Sequence, residues 1–171
     1  MKDWHPIALC NVLYKIISKV LENRLKNVLS QCISDNQSTF VLGRSILDNA
    51  MVAIEVLHFM KTKTRGEGRY VALKLDISKA YDCMDWDYLR AVLNKMSFHN
   101  RWTHWIHRCL ESVDYFVLVI GEQVGPIIPG RGLRQGDPLS SYLLIICAEG
   151  LSSLIREEEM RGDLTGTKVC R

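Results

Sequence analysis

Two short stretches carry residue types that could do chemistry together. The first, Tyr70 to Asp82, reads Y-V-A-L-K-L-D-I-S-K-A-Y-D. Its apolar residues alternate, with Val71, Leu73 and Leu75 on one side, as in a half-buried strand. That strand is expected to end at Asp76 and present a carboxylate at the rim of a sheet. A carboxylate so placed can share a hard cation such as Mg²⁺ with substrate phosphates. The same aspartate could also simply cap the next helix, which is the plainer reading when the stretch is taken alone. The second stretch, Arg131 to Ser141, reads R-G-L-R-Q-G-D-P-L-S-S. Gly132 and Gly136 let backbone approach a substrate closely, and Arg131 and Arg134 carry guanidinium groups suited to phosphate. Its plainer reading is an ordinary loop leading into a helix.

A third group is basic. Lys61, Lys63, Arg65 and Arg69 stand against the single acid Glu67 in a loop containing Thr and Gly. A solvated turn competes there with contact to a phosphate backbone. The net charge of +3 over 171 residues is too small to argue for nucleic acid by itself. The three histidines His99, His104 and His107 tempt a metal assignment, but no ligand set has zinc spacing, and they read as surface residues. Six cysteines occur without any C-x-x-C pair, which suits small buried hydrophobes in a reducing compartment. No signal peptide opens the chain, and the longest apolar run, Leu143 to Ala148, is far too short to span a bilayer. These features lead us to expect an intracellular, soluble protein, long enough for one domain or part of a larger one.

The positioning elements follow from periodicity. Leu9, Val12, Leu13, Ile16, Ile17, Val20, Leu21, Leu25, Val28 and Leu29 trace one helical stripe. Ser45 with Asp48 resembles a capping box, and the helix it starts would turn Leu47, Ala50, Met51, Ile54 and Leu57 inward. Asp85 can cap a helix through about Met96, and another begins near Asn100 with Trp102, Trp105, Ile106, Cys109 and Leu110 on one face. Tyr115 to Ile120 and Gln123 to Ile128 read as a hairpin about Gly121-Glu122. Asp137 is expected to cap a long last helix, with Pro138 at its first position and its end near Gly162.

Four stretches together resemble the reverse transcriptases of non-LTR (LINE-type) retrotransposons, particularly those of plants. They are P-I-A-L-C-N-V-L-Y-K-I-I-S-K-V-L-E-N-R-L, Q-S-T-F-V-L-G-R-S-I-L-D-N, L-D-I-S-K-A-Y-D and G-L-R-Q-G-D-P-L-S-S-Y-L, in that family's order. The third looks like its catalytic motif A and the fourth like its motif B. The resemblance implies an α+β fold, a partial right-hand polymerase with long helices packed on a small, incomplete antiparallel sheet. Residues 1–69 would be fingers-like and 70–171 palm-like. Asp76 would be a catalytic Mg²⁺ ligand, with the backbone carbonyl of Ile77 beside it. Tyr81 would be a steric gate beneath the nucleotide sugar, and Arg134, Gln135 and Gly136 would line or flank the nucleotide pocket. Arg44, Lys61, Lys63, Arg65 and Arg69 would contact nucleic acid. RNA template, DNA primer and dNTP are the implied partners, without a membrane, and the nucleus is compatible with the resemblance.

The departures are also informative. His5 replaces the family's usual Arg, Leu42 and Ser141 replace prolines, Cys83 replaces an Arg, Ser97 a Gly and Ile120 an Asn. No Asp-Asp pair occurs in the chain, so the family's motif C, which supplies the second carboxylate, is not among these residues; nor is a thumb. A single carboxylate supplies too few ligands to hold the two metal ions, which stand roughly 3.5–4 Å apart. The expectation is therefore a polymerase fragment inactive alone, or an inert retrotransposon remnant with at most weak nucleic-acid affinity.

Overall fold

The computed structural model describes residues 9–63 and 71–166. Their elements, in chain order, are α1 (Val12–Cys32), α2 (Ile46–Thr62), α3 (Ala80–Cys83), α4 (Trp86–Lys95), α5 (Asn100–Glu111), β1 (Tyr115–Val119), β2 (Glu122–Ile127) and α6 (Ser140–Arg161). Side chains set most helix starts. Asn11 Oδ1 accepts from Tyr14 N–H at 2.7 Å, Asp85 Oδ1 from Tyr88 N–H at 2.8 Å, and Ser45 Oγ from Leu47 N–H at 3.2 Å. Each satisfies an amide that the helix itself leaves without a partner.

One apolar core joins four helices. Leu21, Leu25 and Leu29 of α1 meet Leu89, Val92 and Leu93 of α4, Ile106 and Leu110 of α5, and Leu143, Ile146 and Cys147 of α6. α6 is central: α1, α3 and α4 pack on it, and α5 packs on α4. A Cβ at Gly150 would lie 2.7 Å from the Tyr88 hydroxyl and 2.9 Å from Val92 Cγ2, so the missing side chain is what lets α4 approach. Tyr88 then donates to the Cys147 carbonyl at 3.0 Å. Polar groups tie the α1 end to the same helix, where buried Glu149 accepts from Ser34 at 2.9 Å and pairs with Arg156.

Several expectations are corrected. Residues 71–77 form no strand, and Val71, Leu73 and Leu75 are 88%, 78% and 60% exposed. A strand needs neighbours to take its backbone hydrogen bonds, and the β1–β2 hairpin is the two-stranded sheet of the described residues. That hairpin pairs antiparallel, Val119 opposite Glu122, with a register shift between Tyr115 and Val117, and its side chains stay largely exposed, so the helices pack on one another rather than on it. α2 buries no residue, against the expected inward face of Leu47, Ala50, Met51, Ile54 and Leu57. α1 buries Ser18, Leu21, Glu22, Leu25 and Leu29 and leaves Val12, Leu13, Ile16 and Ile17 outside. The last helix begins at Ser140, with Leu139 as its cap, because Asp137 spends its carboxylate elsewhere. His107 is half-buried rather than a surface residue, its Nδ1 2.9 Å from Glu111 and its ring edge-on to Trp86. Among the described residues no helix is long and apolar enough to cross a membrane.

Two of the substituted positions lie in left-handed backbone. Ser97 has φ +61° and follows the α4 cap; its N–H donates to Asn94 and that of Phe98 to Leu93. This is the Schellman arrangement, whose left-handed residue is usually Gly. Ile120, at φ +53° before Gly121 at +86°, forms the hairpin turn that favours Asn-Gly. Left-handed backbone costs an L-residue about 1–2 kcal/mol. Ser97→Gly and Ile120→Asn should therefore each raise unfolding free energy by about 1 kcal/mol, read from urea midpoints, and the gains should add. A fall in either midpoint would contradict these turn assignments.

Burial also pushes the Cys147 thiol up from its ordinary 9.0 to about 12, and raises Cys109 too. Between those values the folded chain keeps a proton that the unfolded chain gives up, so stability is full below pH 9 and falls as pH rises toward 12. Urea midpoints at pH 10 should lie below those at pH 8. A midpoint that rises or stays level would refute the burial of these thiols.

Candidate functional site

The two stretches singled out in the sequence meet in space. α3 and the start of α4 form a short platform, and the loop from Arg131 to Ser141 lies on it. Leu133 N–H donates to the Tyr81 carbonyl at 2.6 Å and Gly132 N–H to the Met84 carbonyl at 2.7 Å. The Trp86 indole N–H returns a bond to the Gly132 carbonyl at 2.8 Å. The Tyr81 and Ser141 hydroxyls lie 3.1 Å apart, sharing one hydrogen bond across the same seam. A proline at 141 could not make that contact. Gly132 is at φ +95°, and a Cβ there would meet the Asp82 and Tyr81 carbonyl oxygens at 3.1 and 3.3 Å. Only a residue without a side chain fits both the turn and the approach.

Beyond the seam the expected residues separate. Asp76 and Ile77 lie in the exposed 71–77 segment, and Asp76 makes no hydrogen bond or ion pair among the described residues. Gln135 is half-buried and Gly136 exposed at φ +92°, together forming a turn. Arg134 is 7% exposed. Its guanidinium stacks on the Tyr14 ring at 3.9 Å and donates to the Cys109 carbonyl at 2.6 Å. Arg44 is similarly engaged, donating to the Gln37 carbonyl at 2.8 Å and pairing with Asp35 at 3.1 Å, so it closes the turn after α1. Lys61 and Lys63 are exposed near the end of α2, Lys63 with its ammonium 5.4 Å from the Phe59 ring centre. Arg65 and Arg69 lie outside the described residues.

Sequence reasoning missed a buried polar knot behind the loop. Asp137, 6% exposed, accepts from the Tyr14 hydroxyl at 3.2 Å, from Ser140 Oγ at 3.2 Å and, by a short contact, from Ser18 Oγ. Burial first, then the nearby Asp137 charge, hold the Tyr14 phenol well above its ordinary range, so it remains a donor. Two hydroxyls one helical turn apart on α1, at Tyr14 and Ser18, were the available signal. Beside this knot an open cavity of about 830 Å³ is lined by Tyr14, Asp82, Tyr115, Arg131, Arg134 and Gln135, among others.

The docking geometry makes Gly132→Ala informative. Left-handed strain and the two carbonyl contacts should cost about 2–3 kcal/mol, measured by urea unfolding. An unchanged midpoint would mean that the loop does not sit on the platform as described.

The family described as reverse transcriptase (RNA-dependent DNA polymerase) matches residues 1–170. A Xenopus laevis protein named Transposon TX1 uncharacterized 149 kDa protein is 35% identical over 158 residues, covering 92% of this chain and 12% of its own length. The Retrovirus-related Pol polyprotein from type-1 retrotransposable element R2 of Popillia japonica is 22% identical over 170 residues, covering 92% of this chain and 23% of its own. Its Drosophila melanogaster counterpart from type-2 element R2DM is 25% identical over 157 residues, covering 92% and 14%. The chain thus spans under a quarter of the length of these relatives. With the family matched over nearly every residue and retrotransposon proteins among its relatives, this chain belongs to the reverse transcriptase family and is a reverse transcriptase domain sequence of the non-LTR, LINE type.

Proposed function

We propose that these residues are part of an RNA-directed DNA polymerase, and that Asp76, Tyr81 and the Gln135–Gly136 turn belong to its nucleotidyl-transfer site. The observation that carries this reading is the 2.6 Å bond from Leu133 N–H to the Tyr81 carbonyl, which seats the expected nucleotide loop on the expected steric gate. In this reading residues 1–69 correspond to fingers and 70–171 to palm. RNA template, DNA primer and dNTP are the substrates of the whole enzyme.

Each residue has a physical part. The Tyr81 ring, fixed at its hydroxyl by Ser141, would exclude a 2′-hydroxyl by clash. Gln135 can offer its amide to a nucleotide from a turn that Gly136 keeps free of side-chain bulk. Asp76 is exposed, and no hydrogen bond or ion pair among the described residues competes for its carboxylate. Divalent ions would supply charge neutralisation in such transfer, and Asp76 with the Ile77 carbonyl is the group proposed to face them. The described residues do not by themselves complete a metal site: among them no group of three or more His, Cys, Asp or Glu is placed to hold an ion.

A second reading, an inert remnant with weak nucleic-acid affinity, draws on the exposed Lys61 and Lys63. The 171 residues taken alone should give no template-dependent primer extension with Mg²⁺, because they carry one proposed ligand carboxylate and no Asp-Asp pair. DNA synthesis by the purified chain would overturn the expected inactivity. Any RNA affinity should fall steeply between about 50 and 200 mM salt; no affinity even at low salt would dismiss the second reading.

A further inference from the structure

We infer that Tyr14, Ser18, Arg134 and Asp137 form a clamp that positions the Gln135–Gly136 turn, with Arg134 a positioning residue rather than a ligand of the nucleotide. This rests on the reading that the turn lines the nucleotide pocket. The clamp grips the turn from both sides. Arg134, immediately before it, is stacked on Tyr14 at 3.9 Å and bonded to the Cys109 carbonyl at 2.6 Å. Asp137, immediately after it, receives the hydroxyls of Tyr14, Ser18 and Ser140. Tyr14 therefore serves both anchors, one through its ring face and the other through its hydroxyl.

The energetics favour a fixed geometry. A carboxylate as buried as Asp137 is costly unless its oxygens are hydrogen-bonded, and three hydroxyl donors meet that need. The guanidinium of Arg134 is planar, and stacking plus a carbonyl bond leaves it one orientation. Both anchors lean on α1, which is held to α6 through the core. The two residues between them have little else to hold them: Gly136 is exposed, at φ +92°. A turn with few contacts at its centre keeps its reach only while both ends stay fixed. A misplacement of about 1 Å in such a group is enough to matter to a reacting geometry. The clamp also explains why a helix-capping aspartate does not cap: its oxygens are taken by the hydroxyls of Tyr14 and Ser18 on α1 and of Ser140 rather than by α6 amides.

The test uses the full 171-residue chain, labelled with ¹⁵N, as wild type, as the Tyr14→Phe/Ser18→Ala double variant, and as Val92→Ala, a core truncation on α4. Tyr14→Phe keeps the ring under Arg134 and removes only the hydroxyl. Relaxation at Gln135 and Gly136 should show order in the wild type and in Val92→Ala, and order parameters dropping below about 0.6 in the double variant. Unchanged order in the double variant, or equal loosening in Val92→Ala, would overturn the clamp. A second arm titrates dGTP and follows the Gln135 resonances. The wild type should shift and saturate, and the double variant should bind about fivefold to tenfold more weakly. A wild-type Gln135 that never responds to dGTP would instead overturn the nucleotide reading, while the relaxation arm still decides the clamp.

Discussion

The hydrogen-bonded seam between the Gly132–Leu133 backbone and the Tyr81–Met84 carbonyls is the constraint on which the site depends. Two stretches fifty residues apart in sequence meet there through main-chain groups, which keep their chemistry whatever the side chains become. Carbonyls withdrawn from water must find donors, and in this half-buried seam two receive backbone amides while the Trp86 indole serves a third. Only Gly132 permits the approach. Tyr81, Ser141 and the Gln135 turn take their places as a consequence of that contact.

Behind the seam lies a second layer in which polar groups do what apolar packing alone does not. The hydrophobic core fixes α1 against α6 but is tolerant of small rotations. Asp137, with donors on α1 and at the start of α6, removes that freedom, and Glu149 does the same toward the end of α1. Buried polar contacts of this kind stabilise little when whole but cost heavily when half removed. They specify one arrangement of the loop rather than adding much to its stability.

Helix existence was largely legible in the sequence, because periodicity and caps are local. Ser45 and Asp85 cap as their spacing implies, and the hairpin forms, with its turn at Ile120–Gly121 rather than at Gly121–Glu122. What could not be read was burial. Val71, Leu73 and Leu75 alternate as a strand should, yet alternation records only a preference for one buried face and not whether a partner is present to cover it. The same holds for α2, where Leu47, Met51, Ile54 and Leu57 stay exposed. The roles of Arg134 and Asp137 were likewise illegible, since charge and cap preference are intrinsic to the residue while the partners Tyr14 and Ser18 lie over a hundred positions away, on α1. Family resemblance suggests where chemistry would lie; the fold shows that Arg134 and Asp137 are occupied by other side chains and backbone. Ser97 and Ile120 show a cost of substitution that sequence alone presents as neutral, because the strain exists only at a positive φ.

The most direct measurement of the central claim is the trans-hydrogen-bond coupling between the Leu133 amide nitrogen and the Tyr81 carbonyl carbon, read in the ¹⁵N,¹³C-labelled chain. A donor–acceptor distance of 2.6 Å predicts a resolvable coupling and a Leu133 amide protected from exchange. A Leu133 amide exchanging at the rate of a solvent-exposed loop, with no coupling to Tyr81, would contradict the account that the two motifs form one site.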